Sequence, residues 1–287
     1  MSSKITDGDF LSQLLVYMQN QSLSGMDNLL QEAVFLVWIL GVIVIGINCI
    51  MEGHLFGAGM IQNYIITLLK IGAFLFIVGN WKEIAVDVIF KSFEVAGITA
   101  GNLTEMQTPS GIFMTGFKLC KDVWAGIFRT SDWHIVLGIM PLLLLQWATC
   151  LTIVVAFGMM AIRFFLSVIE FYIFAGLSII LIPFGMVPRL QFLFDNVITG
   201  LFRFGIKYMT MIFVLGIGQG FFSTATTPLA ADSSVDMLLK AAVSVILYMM
   251  IVIEIPNIVS AMIYGSPSTS SSAMSMIGRV AGKFGPG

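Results

Sequence analysis

Three ionisable side chains, Lys70, Arg163 and Glu170, stand in stretches that are otherwise hydrocarbon. A carboxylate in such surroundings protonates or takes a cationic partner, and an ammonium near the middle of a span snorkels, pairs or faces a wet cavity. Lys70 and Arg163 are the cations available to Glu170. Two chemistries fit: a structural salt bridge between helices, or an ion or proton path. A second polar pattern runs through Gln191, Asp195, Thr199, Arg203 and Lys207, each four residues from the next. That spacing predicts a stripe nearly on one face of a helix, with Phe192, Phe194, Val197, Leu201 and Phe204 covering the remainder. The stripe suits a solvated face of an interfacial helix, or a wall turned toward a channel or a neighbouring protomer.

Residue patterns for catalysis are missing. Paired aspartates, a Ser with a His in another span, a zinc-binding HExxH and a Walker loop do not occur, and His54 and His134 both fall near span ends. The run GIGQG, Gly216 to Gly220, lies inside a span, where Gly216 and Gly220 allow close helix approach. Cys49, Cys120 and Cys150 are odd in number, lack metal spacing and read as small hydrophobes. The chain is therefore read as a non-enzyme that needs no cofactor and no metal.

The elements that carry these charges are membrane helices. From Ile135 to Val187 the sequence is almost unbroken hydrocarbon, with Arg163 and Glu170 as its only charges. One helix of that length would run to about 80 Å, against a bilayer core of about 30 Å, so two crossings are predicted with a turn close to Arg163. The composition agrees: 58% hydrophobic, 10% charged and a mean hydropathy of +0.97, where soluble domains carry about 25% charged residues. With 14 basic against 16 acidic residues there is no basic excess for a nucleic-acid-binding surface of the soluble kind. The predicted fold class is all-α, a polytopic membrane protein of about five to six transmembrane helices with amphipathic interfacial helices.

In chain order, residues 1–32 are polar and hold one short amphipathic helix around Phe10 to Met18, too short to span and suited to a surface, an interface or a partner subunit. Residues 33–80 contain two spans, Ala33 to Met51 and Ile61 to Val78, joined by a link with Gly53, Gly57 and Gly59. Residues 81–134 form a central amphipathic segment on or beside the membrane. In its first piece Trp81, Ile84, Ala85, Val88, Val95 and Ala96 share a face, opposite Lys82, Glu83, Asp87, Lys91 and Glu94, and Asp87 and Lys91 are spaced to pair. Its second piece sets Phe113, Gly116, Phe117, Cys120 and Trp124 against Lys118 and Lys121. Residues 135–265 are the main bundle: two spans before Val187, a long helix from Arg189 that runs into a span at Tyr208 to Phe222, a loop at Thr224 to Ser234, and a last span at Met237 to Ile255. Residues 266–287 are a Ser/Gly-rich tail expected to be flexible.

With both ends inside and six spans, the central segment, the Arg189 to Lys207 helix and the tail are cytoplasmic, which is a strong positive-inside score.

The layout, with EFYIFAGLSIILIPFGMVPR (Glu170 to Arg189) and IPNIVSAMIYGSP (Ile255 to Pro267) before the tail, resembles the TrbL-type polytopic inner-membrane proteins of bacterial type IV secretion and conjugation machines. The resemblance implies a non-enzymatic, homo-oligomeric core component in the bacterial inner membrane. It would sit at the base of the apparatus, needed for passage of DNA or protein and for pilus assembly. The implied partners are other secretion-system subunits including pilus and ATPase components, membrane lipid and the translocating substrate. It also implies a periplasmic central segment, against the positive-inside count. The chain departs from longer relatives in having a short tail. The competing class is a self-sufficient ion or small-solute channel using Lys70 and Glu170.

Overall fold

A computed structural model of the chain describes residues 10–52, 58–103, 108–129, 133–225 and 235–262, and every described element is helical. Gly53 and Gly57, most of the Thr224 to Ser234 loop and the 266–287 tail lie outside the described residues.

Helix α1, Phe10–Glu52, is 43 residues long. The N-terminal amphipathic stretch is therefore not a separate surface helix but the first turns of α1, because only Gly25 interrupts the run to Ala33, and a single glycine costs a helix only about 1 kcal/mol. Helix α2, Ala58–Gly79, returns antiparallel: Asn48 donates to Thr67 Oγ1 at 3.2 Å, and Ile71 packs under Gly41.

The chain does not stop at Gly79. The Asn80 amide bonds to Phe76 O and the Ile84 amide to Asn80 O, both at 3.0 Å, and the helix continues as a π-helical segment, Glu83–Phe90, into α3, Lys91–Ala100. The π winding corrects the face read from the sequence. At 3.6 residues per turn, the nine residues from Trp81 to Phe90 make two and a half turns and set the two rings on opposite sides. With i→i+5 bonding each turn takes more residues. Trp81 and Phe90 are consequently both buried, together with Ala85 and Val86, while Val88 and Val95 point out at 60% and 61% exposure. Helix α3 ends at Asn102, φ 50°, with the Leu103 amide folding back to Ile98 O.

Helix α4, Pro109–Arg129, packs on α5, Trp133–Ser178. Gly116 seats Phe157, and the Cys120 thiol donates to Cys150 O at 3.6 Å. Cys150 and burial together hold the Cys120 thiol well above its usual pKa, which leaves it inert. Helix α5 is the largest departure from expectation: its 46 residues run unbroken through Arg163, which is exposed. A single outward charge with no Gly or Pro beside it does not break a helix. The turn comes later, where a 3₁₀ segment, Ile179–Met186, contains Pro183 and leads to an extended Val187. Pro188 forces that extension by excluding the helical region from the residue before it. Helices α6, Gln191–Ala225, and α7, Val235–Met262, complete the bundle. Five described helices are long and apolar enough to cross a membrane, within the five to six expected, and the two crossings read between Ile135 and Val187 are carried by one continuous helix and its 3₁₀ extension.

Candidate functional site: a belt of charged groups around Glu170 and Lys207

Glu170 on α5 finds its cation on α6. Lys207 Nζ donates to Glu170 Oε2 at 2.5 Å, with side-chain exposures of 20% for the lysine and 40% for the carboxylate. The expected partners, Lys70 and Arg163, do not reach it. Arg163 lies two turns back on the same helix, facing out. Lys70 precedes Ile71, which packs at Gly41, whereas Glu170 lies beside Tyr172, whose carbonyl accepts from Ser22. Nineteen residues of α1, about 28 Å, separate Ser22 from Gly41.

The stripe to which Lys207 belongs explains the pairing. Steps of four residues advance a helix by about 400°, a drift of about 40° each, so the four steps from Gln191 to Lys207 turn the stripe by about 160°. Gln191 and Asp195 are accordingly exposed, Thr199 is half-buried with its hydroxyl bonded to Asp195 O at 2.5 Å, and Lys207 faces the bundle. Arg203 remains exposed. The stripe is a spiral rather than a single face.

Around the pair, aromatic rings lock three helices. Phe90 stacks on Tyr208 with centroids 4.7 Å apart and meets Tyr172 at 5.1 Å, while Trp81 Nε1 donates to Ala175 O at 2.9 Å. Glu94 is set against this cluster. Burial pushes its carboxyl above the ordinary value, and the nearby Tyr208 hydroxyl and Lys91 ammonium lower it in part. Although the two groups are close, neither Glu94 Oε1 nor the Tyr208 hydroxyl, both buried, has a partner of good hydrogen-bond geometry. Farther out, Lys82 bonds Asp27 at 3.1 Å and Lys91 bonds Asp87. Both pairs are exposed and contribute little to stability.

These groups form one connected cluster, because Ser22, Trp81, Phe90, Tyr172, Ala175 and Tyr208 are joined directly or through one another. On one side of the belt the α1 and α2 hairpin is apolar and outward-facing at Phe35, Val42, Ile65, Leu68 and Leu69. On the other, α5, α6 and α7 expose Leu144, Leu151, Ile217, Val243 and Leu247. The belt divides two apolar tiers.

Helix packing in α6 rests on glycines. A Cβ on Gly216 would stand 2.5 Å from Gly101 O, and one on Gly218 would collide with the Tyr248 ring, whose hydroxyl donates to Val214 O at 3.1 Å. At Gly220 an added Cβ meets nothing within 4 Å, so the close approach expected there belongs to Gly218. The sequence reading also missed Trp81, Glu94 and Tyr208 as members of one cluster. Their only signal was the adjacency of Tyr208 to Lys207 and of Phe90 to the charged run.

Long apolar helices, an internal ion pair between spans and close glycine contacts define a multi-pass helical membrane protein. Residues 38–255, about three quarters of the chain, match the family model of the TrbL/VirB6 plasmid conjugal transfer protein, and the chain belongs to that family. It is a component of a conjugal transfer or type IV secretion system. No curated protein matches it.

Proposed function

We propose that this chain is a non-enzymatic core subunit that oligomerises in the bacterial inner membrane at the base of the transfer apparatus and serves substrate passage and pilus assembly. One observation carries this reading. Helix α5 is 46 residues long, about 69 Å, and the 3₁₀ segment adds about 16 Å, against a bilayer core of about 30 Å. Apolar side chains are exposed along that rod, at Leu144, Leu151, Val155, Ile162, Leu166, Ile173 and Leu177. A lone protomer would leave the excess in water, whereas neighbouring subunits would cover it. The family supplies the setting, with pilus subunits, ATPases and the translocating DNA or protein as partners. The self-sufficient channel is disfavoured because Lys70 and Glu170 lie at different levels and Glu170 is already paired.

The experiment is clean deletion of the gene in its host, with complementation, scoring DNA or protein transfer and pili in parallel. Loss of both, restored by the gene, supports the proposal; unchanged transfer and pili reject it. The size of the solubilised complex tests oligomerisation separately.

A further inference from the structure

Lys70 and Asp195 carry opposite charges, are both exposed, and have no ion-pair partner among the described residues. They also stand close in depth, about 8 Å apart, because α2 and α6 run the same way past one shared contact that Lys70 precedes by a turn and Asp195 follows by one residue. Phe74, one turn after Lys70, packs edge-on against Phe194, the neighbour of Asp195, with ring centroids 5.4 Å apart. Lys70 occupies the centre of the candidate span Gln62–Gly79, where a lysine is costly unless something answers its charge. Asp195 lies within the candidate span Gln191–Gly218.

We propose that Lys70 of one copy pairs with Asp195 of a neighbouring copy, which makes these flanks of α2 and α6 the contact between protomers. The inference rests on the oligomeric reading above. Copies in one membrane are related by rotation about its normal, so each residue keeps its depth and only groups at a common depth can meet. Lys70 and Asp195 satisfy that condition because the long lysine side chain spans most of the difference between their levels. Among the other exposed carboxylates, Asp27, Asp87 and Asp236 each hold a lysine of their own chain, while Glu32, nine residues before Gly41 on α1, and Glu83, thirteen residues after Lys70, stand about 13 Å or more from the level of Lys70. Apolar packing around the pair comes from Leu69, at 74% exposure, and Phe192, at 56%.

Charge reversal tests this with two tagged versions of the full chain, Lys70→Asp and Asp195→Lys, in lipid nanodiscs. Alone, each puts like charges across every contact, and oligomer falls by about tenfold. Co-expressed, the two versions restore opposite charges wherever unlike copies meet, and mixed oligomer returns. A pair formed inside one chain cannot be rescued that way, so rescue by the double reversal in one chain without rescue by mixing overturns the proposal. So do single variants that oligomerise like the wild type. If a single variant fails to accumulate, recovery on co-expression gives the same answer. Disulfide cross-linking between Lys70→Cys and Asp195→Cys copies, in a chain cleared of Cys49, Cys120 and Cys150, provides a second measurement. Wild-type protein that is monomeric in nanodiscs would reject the oligomeric reading itself, whereas an intact oligomer without the cross-link rejects this contact alone.

Discussion

Lys207 reaches from α6 to donate to Glu170 on α5 at 2.5 Å, and the aromatic ring of the next residue, Tyr208, stacks on Phe90. The pair thereby fixes the rotation of α6 against both α5 and the helix that carries Phe90. Removing one member strands the other charge in a half-buried site, which costs more than the pair contributes as a whole. Lys207→Met or Glu170→Gln alone should lower stability by about 1–2 kcal/mol, and the double variant should recover most of the loss. Thermal unfolding of the purified protein in detergent checks this. Equal losses in the single and double variants would contradict it.

The π-helical segment sets a second register. Val88 is 60% exposed, so Val88→Ala should leave accumulation unchanged. Deleting Val88 should be severe, because one residue fewer between Trp81 and Phe90 lets the segment relax toward α geometry. Either the indole then leaves Ala175 O or Phe90 leaves Tyr172 and Tyr208. Membrane levels of the two variants, compared by immunoblot, separate these outcomes, and a stable deletion variant would refute the register argument.

Three glycines of α6 should respond differently to alanine. At Gly216 the obstacle is the backbone of Gly101, which cannot swing aside, and overpacking of this kind costs about 1–3 kcal/mol. At Gly218 the obstacle is the Tyr248 ring, which can yield only by giving up its bond to Val214 O, so a comparable loss is expected. Gly220→Ala should be neutral or gain up to about 1 kcal/mol from helix propensity. Melting temperatures ranked Gly220→Ala above Gly216→Ala and Gly218→Ala are the expected result; a reversed order would be incompatible with the packing.

The helical membrane fold was legible because hydrocarbon runs this long admit few other structures, and Pro183 and Pro188 marked the true turn. What escaped had physical causes. Arg163 looked like a boundary because charge is rare in a span, yet an outward arginine leaves backbone bonding untouched. Periodicity of an α-helix puts Val88 and Val95 on the face of Trp81 and passes over Phe90, and a π segment invalidates that assignment. The partner of Glu170 was hidden because a four-residue stripe drifts, carrying Lys207 from an apparent surface row into the bundle. Lys70 was recognisable as costly, but its depth relative to Asp195 depends on the Phe74 contact with Phe194, which no local pattern encodes.

Glu94 should make stability depend on pH in the direction opposite to most carboxylates. Burial raises its pKa above the ordinary 4.5, with Tyr208 and Lys91 offsetting only part of the rise. A carboxyl whose folded pKa exceeds its unfolded value stabilises the fold fully below the unfolded pKa, and that contribution is lost as pH rises through the folded pKa. Glu94→Gln keeps the shape and removes the titration. The wild type and the variant should therefore melt alike at the acid end, below 4.5, and diverge as pH rises, with the wild type falling behind. Thermal midpoints across a pH series in one detergent check this, since other titrating groups are common to both proteins and cancel in the difference. Curves that stay parallel would mean that the Glu94 carboxyl keeps its solvent-like pKa, and that the belt is wetter at α3 than the burial of its Oε1 atom implies.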